Sequence, residues 1–172
     1  MKIKTLILSM LLALNLSAIT IGESPSHVTI DGENGGLVKD SSIWDSNTLK
    51  DKVLVLFYVD PDEKDTNNNF SAALKAKKYD RTNYGSIAII NMAATWKPNF
   101  AIESALESKQ EEFPDTLYVK DKKSVLVNAW GIDDDASNVL IFSKDSKLLF
   151  YQSGALNDSD IQKALEIIET NL

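Results

Sequence analysis

The sequence predicts an α/β fold, a central mixed sheet with helices on both faces. Three observations predict it. Two apolar runs, Val53–Val59 (VLVLFYV) and residues 86–92 (SIAIINM), show little alternation of apolar and polar positions, as expected of strands covered on both faces. Each run is followed by a stretch with apolar residues at helical spacing. Two shorter apolar runs, residues 139–142 and 148–151, then flank a polar turn ahead of a last amphipathic stretch. That is the pattern of an antiparallel hairpin and a closing helix.

Taken in order, the chain opens on a leader. Lys2 and Lys4 precede an apolar run over residues 6–14, and Leu16, Ser17 and Ala18 offer cleavage after Ala18. This is the composition of a secretory signal peptide over residues 1–18. The run is shorter than the ~20 residues of a spanning helix, and no later stretch is long and apolar enough to span. Residues 22–40 are turn-rich, punctuated by Pro25, Gly32, Gly35 and Gly36. Within them, residues 27–30 and 36–39 are candidate short strands joined by a turn through residues 31–35. Residues 41–51 form a connector, with Trp44 and Leu49 expected to tuck under the sheet.

Beyond the first long strand and Pro61, residues 65–77 carry Phe70, Ala73, Leu74 and Lys77 at helical spacing. Asp62, Glu63 and Asp65 lie near the start of this helix, where its dipole favours negative charge. Asn67, Asn68 and Asn69 are read as capping and surface residues. Pro98 suits the first turn of a second helix running to about Glu112, with Ile102, Ala105 and Leu106 on one face and Pro114 as its stop. Residues 116–119 form a short strand. Residues 122–129 form a short helix closed by Gly131, the residue type that accepts a left-handed helix end. In the last helix Asn157 is the N-cap, Leu156 can staple onto Ile161, and Ile161, Ala164, Leu165 and Ile168 make the apolar stripe. A strand–helix–strand half followed by a hairpin and helix is the thioredoxin-like arrangement, one domain over residues 19–172. A right-handed crossover would make its first two long strands parallel.

Composition narrows the chemistry. The 172 residues include no cysteine, which excludes disulfide staples, thiol catalysis and thiolate metal sites. Removing Lys2 and Lys4 with the leader takes the formal charge from −7 to −9. Such a surface repels nucleic acid and anionic lipid and tolerates cations or basic partners. Export without cysteine, behind a lysine-rich leader, points to a bacterial periplasm, with no stable membrane insertion once the leader is cleaved.

The candidate site is the loop after the first long strand, because open α/β sheets place ligands outside the carboxyl ends of their strands. In thioredoxin-like proteins this loop carries the redox cysteines. Here it reads Asp60, Pro61, Asp62, Glu63, Lys64, Asp65. Asp60, Asp62, Glu63 and Asp65 could offer oxygen ligands to a hard cation, or form a solvated turn serving the helix N-terminus. No EF-hand spacing is present. A second acidic group, Asp133, Asp134 and Asp135, precedes the hairpin, where thioredoxin-like folds usually carry a cis-proline; Ala136, Ser137 and Asn138 stand there instead. Two acidic loops meeting at one end of the sheet would make a negative patch. Trp96 and Trp130 each sit at the end of an element, placed either to stack a ligand or to close the core. His27 is the sole histidine and lies far in sequence from any nucleophile, so a Ser-His-Asp triad and a multi-histidine metal site have no basis. No phosphate-binding loop, dinucleotide fingerprint or zincin motif is present.

The stretch from Val125 onward resembles the YtfJ family of small exported bacterial proteins. Ala129 and Trp130, the acidic triplet with Ser137, the strand over residues 139–142, and Gly154, Ala155 and Leu156 before the last helix carry the resemblance. Residues 64–67 and 103–108 are also similar, so that the likeness extends from about Ser26 to the end. The resemblance implies an exported, periplasmic thioredoxin-like fold, related in layout to peroxiredoxins and TlpA-type proteins, with no reaction and no cofactor attached to it. Ser146 stands in the hairpin where the family usually has a turn glycine. The expectation is therefore a non-catalytic, cofactor-free periplasmic protein that binds a partner protein or small ligand, with Asp60, Asp62, Glu63, Asp65, Trp96, Trp130 and Asp133 to Asp135 as candidate contacts. The alternative is a divalent-cation-dependent binder or hydrolase using residues 60–65 and 133–135.

Overall fold

The computed structural model describes residues 18–172. The expected leader lies outside them except for Ala18. Eight strands and four α-helices follow. The small strands β1 (Thr29–Ile30), β2 (Gly35–Leu37) and β3 (Trp44–Asp45) come first, then β4 (Val53–Val59), α1 (Asn68–Lys77), β5 (Tyr84–Asn91), α2 (Asn99–Glu112) and β6 (Thr116–Asp121). Helix α3 (Val125–Trp130), the hairpin β7 (Ser137–Phe142) and β8 (Leu148–Ser153), and α4 (Asp158–Asn171) complete the chain.

Six strands form one sheet in the order β2-β6-β5-β4-β7-β8. β4 and β5 are parallel, as are β5 and β6, whereas β7 runs antiparallel to β4 and β8 antiparallel to β7. The sheet is mixed and has helices on both faces, as the order of apolar runs predicts. On one face Val53, Val55 and Ile141 meet Phe70 and Leu74 of α1 and Ala164 and Ile168 of α4. Alternation along β5 and β6 puts Ile90 and Tyr118 on that same face, against Ile102 and Leu106 of α2. On the other face Leu54, Leu56, Ile89 and Phe142 meet Leu126 and Trp130 of α3, with Trp44 and Leu49 tucked beneath as expected.

The structure departs from the sequence reading in several places. The two early strands are joined by a turn but do not pair: β1 pairs with β3, and β2 adds to the sheet edge beside β6. Gly35 makes that edge possible. Its φ is 132°, and a Cβ there would lie 1.8 Å from the Lys120 carbonyl oxygen. Helix α1 starts at Asn68, three residues later than expected, because Pro61–Glu63 first make a 3-10 turn. Helix α3 starts at Val125 because Ser124 holds φ at 50°. Ala105 is exposed; only Ile102 and Leu106 of the α2 stripe are buried. Helix α4 follows the sequence closely: Asn157 and Asp160 form a capping box in which Oδ1 of Asn157 accepts the Asp160 N–H at 3.0 Å. Ser146 sits at φ 68° in the hairpin turn, the conformation that makes glycine the easy choice there.

Candidate functional site

The site is assembled where β4, β5 and β6 end and β7 begins. β4 runs out into Asp60, whose N–H donates to the Ala136 carbonyl at 3.0 Å. The 60s and 130s loops therefore meet at one end of the sheet. Asp60 is 5% exposed and its Oδ1 accepts the Asp62 N–H at 2.8 Å. That bond caps the 3-10 turn, which the Glu63 N–H closes on the Asp60 carbonyl at 2.9 Å. Burial raises the pKa of Asp60, opposed by the Asp62 N–H and reinforced by the charges of Asp62, Asp135 and Glu63.

Asp62, Glu63, Asp65 and Asp134 are each engaged by a neighbouring side chain. Lys97 Nζ lies 2.5 Å from Asp62 Oδ1, and Thr95 Oγ1 donates to Asp62 Oδ2 at 2.7 Å. These two bonds hold the Asp62 carboxyl below its usual pKa. Glu63 accepts from Thr66 Oγ1 at 2.5 Å. Asp65 pairs with Lys64 and accepts from Asn68 Nδ2. Asp134 accepts from Asn91 Nδ2 at 2.5 Å and from Ser124 Oγ at 3.4 Å, while Asp133 acts through its backbone, its carbonyl accepting from Asn138 Nδ2 at 2.8 Å. Asp135 is exposed.

The structure thus brings the two acidic loops to one end without converging their carboxylates. Among the described residues no three His, Asp or Glu side chains form a metal-ligand set. The reason is local: the carboxylates of Asp60, Asp62, Glu63, Asp65 and Asp134 are each turned onto a nearby N–H, hydroxyl or ammonium group, and those of Asp133 and Asp135 lie exposed. Among Asp60, Asp62, Glu63, Asp65 and the 130s triplet, no three carboxylates converge as the cation-dependent alternative expects.

The two tryptophans separate. Trp130 is 0% exposed, stands T-shaped to Trp44 at 6.4 Å, and donates from Nε1 to the Ser26 carbonyl at 2.9 Å. It is core and cannot stack a ligand, because the segments carrying Trp44 and Ser26 cover it. Trp96 is 88% exposed. Its flanking residues Thr95 and Lys97 are the two that grip Asp62, so its backbone is fixed to the 60s loop while the indole faces solvent. Phe100, in the first turn of α2, is 75% exposed.

Sequence reasoning missed a set of buried polar side chains under this end. Asn67 is buried and holds the N-cap position of α1, but its side chain makes no capping bond: its Nδ2 donates to Ser137 Oγ at 2.9 Å and to the Gly154 carbonyl at 3.0 Å, and its Oδ1 accepts the Leu156 N–H at 2.9 Å. It stitches α1 to β7 and to the loop before α4. Asp121 is 0% exposed and accepts from Tyr58 Oη and from the N–H groups of Lys123, Val125 and Leu126. Burial first, and then the Asp121 charge, push the Tyr58 pKa up. Tyr151 Oη donates to Asn138 Oδ1 at 3.0 Å. The available signal was a polar residue closing or opening an apolar run: Asn91 ends β5, Asp121 ends β6, and Asn138 sits near the start of β7.

Asp60 gives a test of the site's electrostatics. A raised folded-state pKa means that the native state binds the Asp60 proton more tightly than the unfolded chain. The resulting stability is present below the ordinary aspartate value of 3.8 and lost as pH rises through the raised value. Asp60→Asn keeps an oxygen for the Asp62 N–H and carries no charge to bury. It is expected to melt higher than the native protein at neutral pH, with the gain vanishing below the carboxylate range. A gain independent of pH across a melting series would refute this account.

Comparison with known proteins agrees with the geometry. A family model described as "Bacterial protein of unknown function (YtfJ_HI0045)" matches residues 26–171. The chain is similar to Uncharacterized protein YtfJ of Escherichia coli K12, 26% identical over 80% of this chain and 79% of that one. It is similar also to an uncharacterized protein of Haemophilus influenzae Rd, 31% identical over 73% and 70% of the two chains. Among solved structures, a protein assigned as the thiol:disulfide interchange protein DsbE of Chlorobium tepidum superposes with a TM-score of 0.63 at 11% identity, over 90% of this chain and 99% of that one. At that identity the likeness shows the fold, which is thioredoxin-like.

Proposed function

The chain belongs to the YtfJ_HI0045 family, and from that premise we propose that it is an exported, cysteine-free thioredoxin-fold protein that binds a partner in the bacterial periplasm through the tip of its sheet. The leader composition of Lys2, Lys4 and residues 6–14 supports export. Among the described residues no helix is long and apolar enough to cross a membrane. The loop that holds the redox thiols in thioredoxin-like enzymes here holds Asp60, Pro61, Asp62 and Glu63, so the tip has no sulfur with which to exchange electrons. What it retains is a shaped end of the molecule.

The observation that carries the reading is Trp96. A large aromatic side chain left 88% exposed, between Thr95 and Lys97 whose side chains both bond Asp62, sits on a segment tied to the 60s loop and offers its whole ring to a partner. Tryptophan on a fixed support is the residue type that most often dominates an interface. Phe100 adds apolar area, and exposed Glu63, Asp133 and Asp135 at the same end favour a basic partner surface. The test is capture from periplasmic extract with the native protein, Trp96→Ala and the double variant Asp62→Ala/Glu63→Ala. The expected result is a set of proteins retained by the native chain and lost, or reduced about tenfold or more, by Trp96→Ala at unchanged melting temperature. Identical capture by all three would refute a role for the tip.

A further inference from the structure

We propose that the opposite pole of the sheet carries a second site, for a small organic carboxylate with an apolar body. A cavity of about 320 Å³ opens there, where β4, β5 and β6 begin. Its walls are Leu54, Ile87 and Leu117, one from each of these three parallel strands, and its mouth carries Lys52, Arg81 and Asp115. Gly85, paired with Leu54 across the sheet, keeps the floor open: a methyl group built on it would stand 2.7 Å from Leu54 Cδ2. Apolar walls with a few polar groups at one side are the usual composition of a small-ligand pocket of this size.

The charges at the mouth select the ligand. Arg81 is the only arginine in a chain of formal charge −7. Its guanidinium lies 5.3 Å over the Tyr84 ring, a cation–π contact that holds it at the mouth. Its polar contacts are long, Nε at 4.0 Å from Asp115 Oδ2 and Nη1 at 3.4 Å from Ser86 Oγ. Most of its five N–H donors remain for a planar oxyanion, which an arginine fork grips through two parallel bonds. Lys52 Nζ donates to the Arg81 main-chain carbonyl at 2.6 Å, a neutral acceptor, so its charge is not cancelled by that bond. Asp80, close enough for Lys52 to lower its pKa, is turned onto the Thr82 N–H. Lys52 and Arg81 face Asp115 and Asp80 there, so the mouth offers directed N–H donors over an apolar interior rather than a net positive charge. A carboxylate would sit on Arg81 and Lys52 with its hydrocarbon part against Leu54, Ile87 and Leu117.

The probe is phenylacetate, added to the full-length mature protein and followed by amide chemical shifts. Phenylacetate is expected to produce saturable shifts at millimolar concentration, confined to residues 52–54, 84–87 and 115–117. Arg81→Gln is expected to weaken binding about tenfold or more, the scale of a lost charge-assisted pair, and Lys52→Gln to weaken it as well. Phenylacetamide, which lacks the charge, and inorganic phosphate, which lacks the apolar body, are expected to leave those amides in place. Absence of saturable shifts, binding by Arg81→Gln and Lys52→Gln equal to that of the native chain, or a response to either control equal to that to phenylacetate would overturn the proposal. Trp96→Ala is expected to bind phenylacetate as the native chain does, so this result stands or falls separately from partner capture at the tip.

Discussion

Asp121→Ala is expected to lower stability by about 3–5 kcal/mol, the scale for removing one side of a buried charged hydrogen-bond set. For a domain of this length that is a fall in melting temperature on the order of 10 °C. The carboxylate accepts from Tyr58 Oη at 3.1 Å and from the N–H groups of Lys123, Val125 and Leu126 at 3.1, 3.0 and 3.2 Å. An alanine leaves four donors facing a site with no water access of its own, since Asp121 is fully buried. Two of the four, on Val125 and Leu126, belong to the first turn of α3 and a third to Lys123 just before it, so the helix end should open first. Asp121→Asn, which retains one oxygen, is expected to fall between the two. Thermal melts of the three proteins, with amide exchange at residues 123–126, make the measurement. Equal melting of native and Asp121→Ala would show that the network is held together by other bonds.

Trp130→Ala is expected to cost a similar amount, about 3–5 kcal/mol, the range for emptying a buried aromatic site. Its ring contacts Trp44 at 6.4 Å and Phe142 at 6.1 Å, and its Nε1 holds the Ser26 carbonyl, tying the early chain to the sheet face. The loss should therefore appear in stability and in the ordering of residues 26–30. It should leave partner capture at the tip unchanged wherever the variant is folded. Trp96→Ala should do the reverse, sparing stability and removing capture. A Trp130→Ala protein that melts with the native one would contradict its place in the core.

The pair of tryptophans shows where sequence reading stops. Both stand at the end of an element beside polar residues, and nothing local distinguishes them. Burial is decided by what else arrives at that place: residues 26–44 fold over Trp130, whereas nothing among the described residues covers Trp96. The asparagines at 67–69 pose the same problem. Asn67 is a tie across three segments separated by up to 89 positions, and its identical neighbours are exposed. The acids at 60–65 looked alike as a ligand cluster, yet the turn sends Asp60 inward and Asp62 across to Lys97. Elements whose cues are local were legible. Val53–Val59 has only one reading as a seven-residue unalternating run, and α4 carries both its stripe and its Asn157 cap. β1 and β2 were legible as strands joined by a turn, but not their partners β3 and β6, because pairing is a long-range choice that a strand of two or three residues does not encode.

By itself, the sequence determined the thioredoxin-like layout, the family and the impossibility of thiol chemistry. The layout and the lack of a thiol follow from apolar periodicity, short connections and residue inventory, and the family from the motifs the chain resembles; all are read from neighbours along the chain. Only the tertiary structure decided which polar groups were used up in holding the tip together and which were left facing outward. That division depends on hydrogen bonds between distant segments and on the burial they create, and it separates Asp121 and Asn67, which stabilise the fold, from Trp96, which is available to a partner.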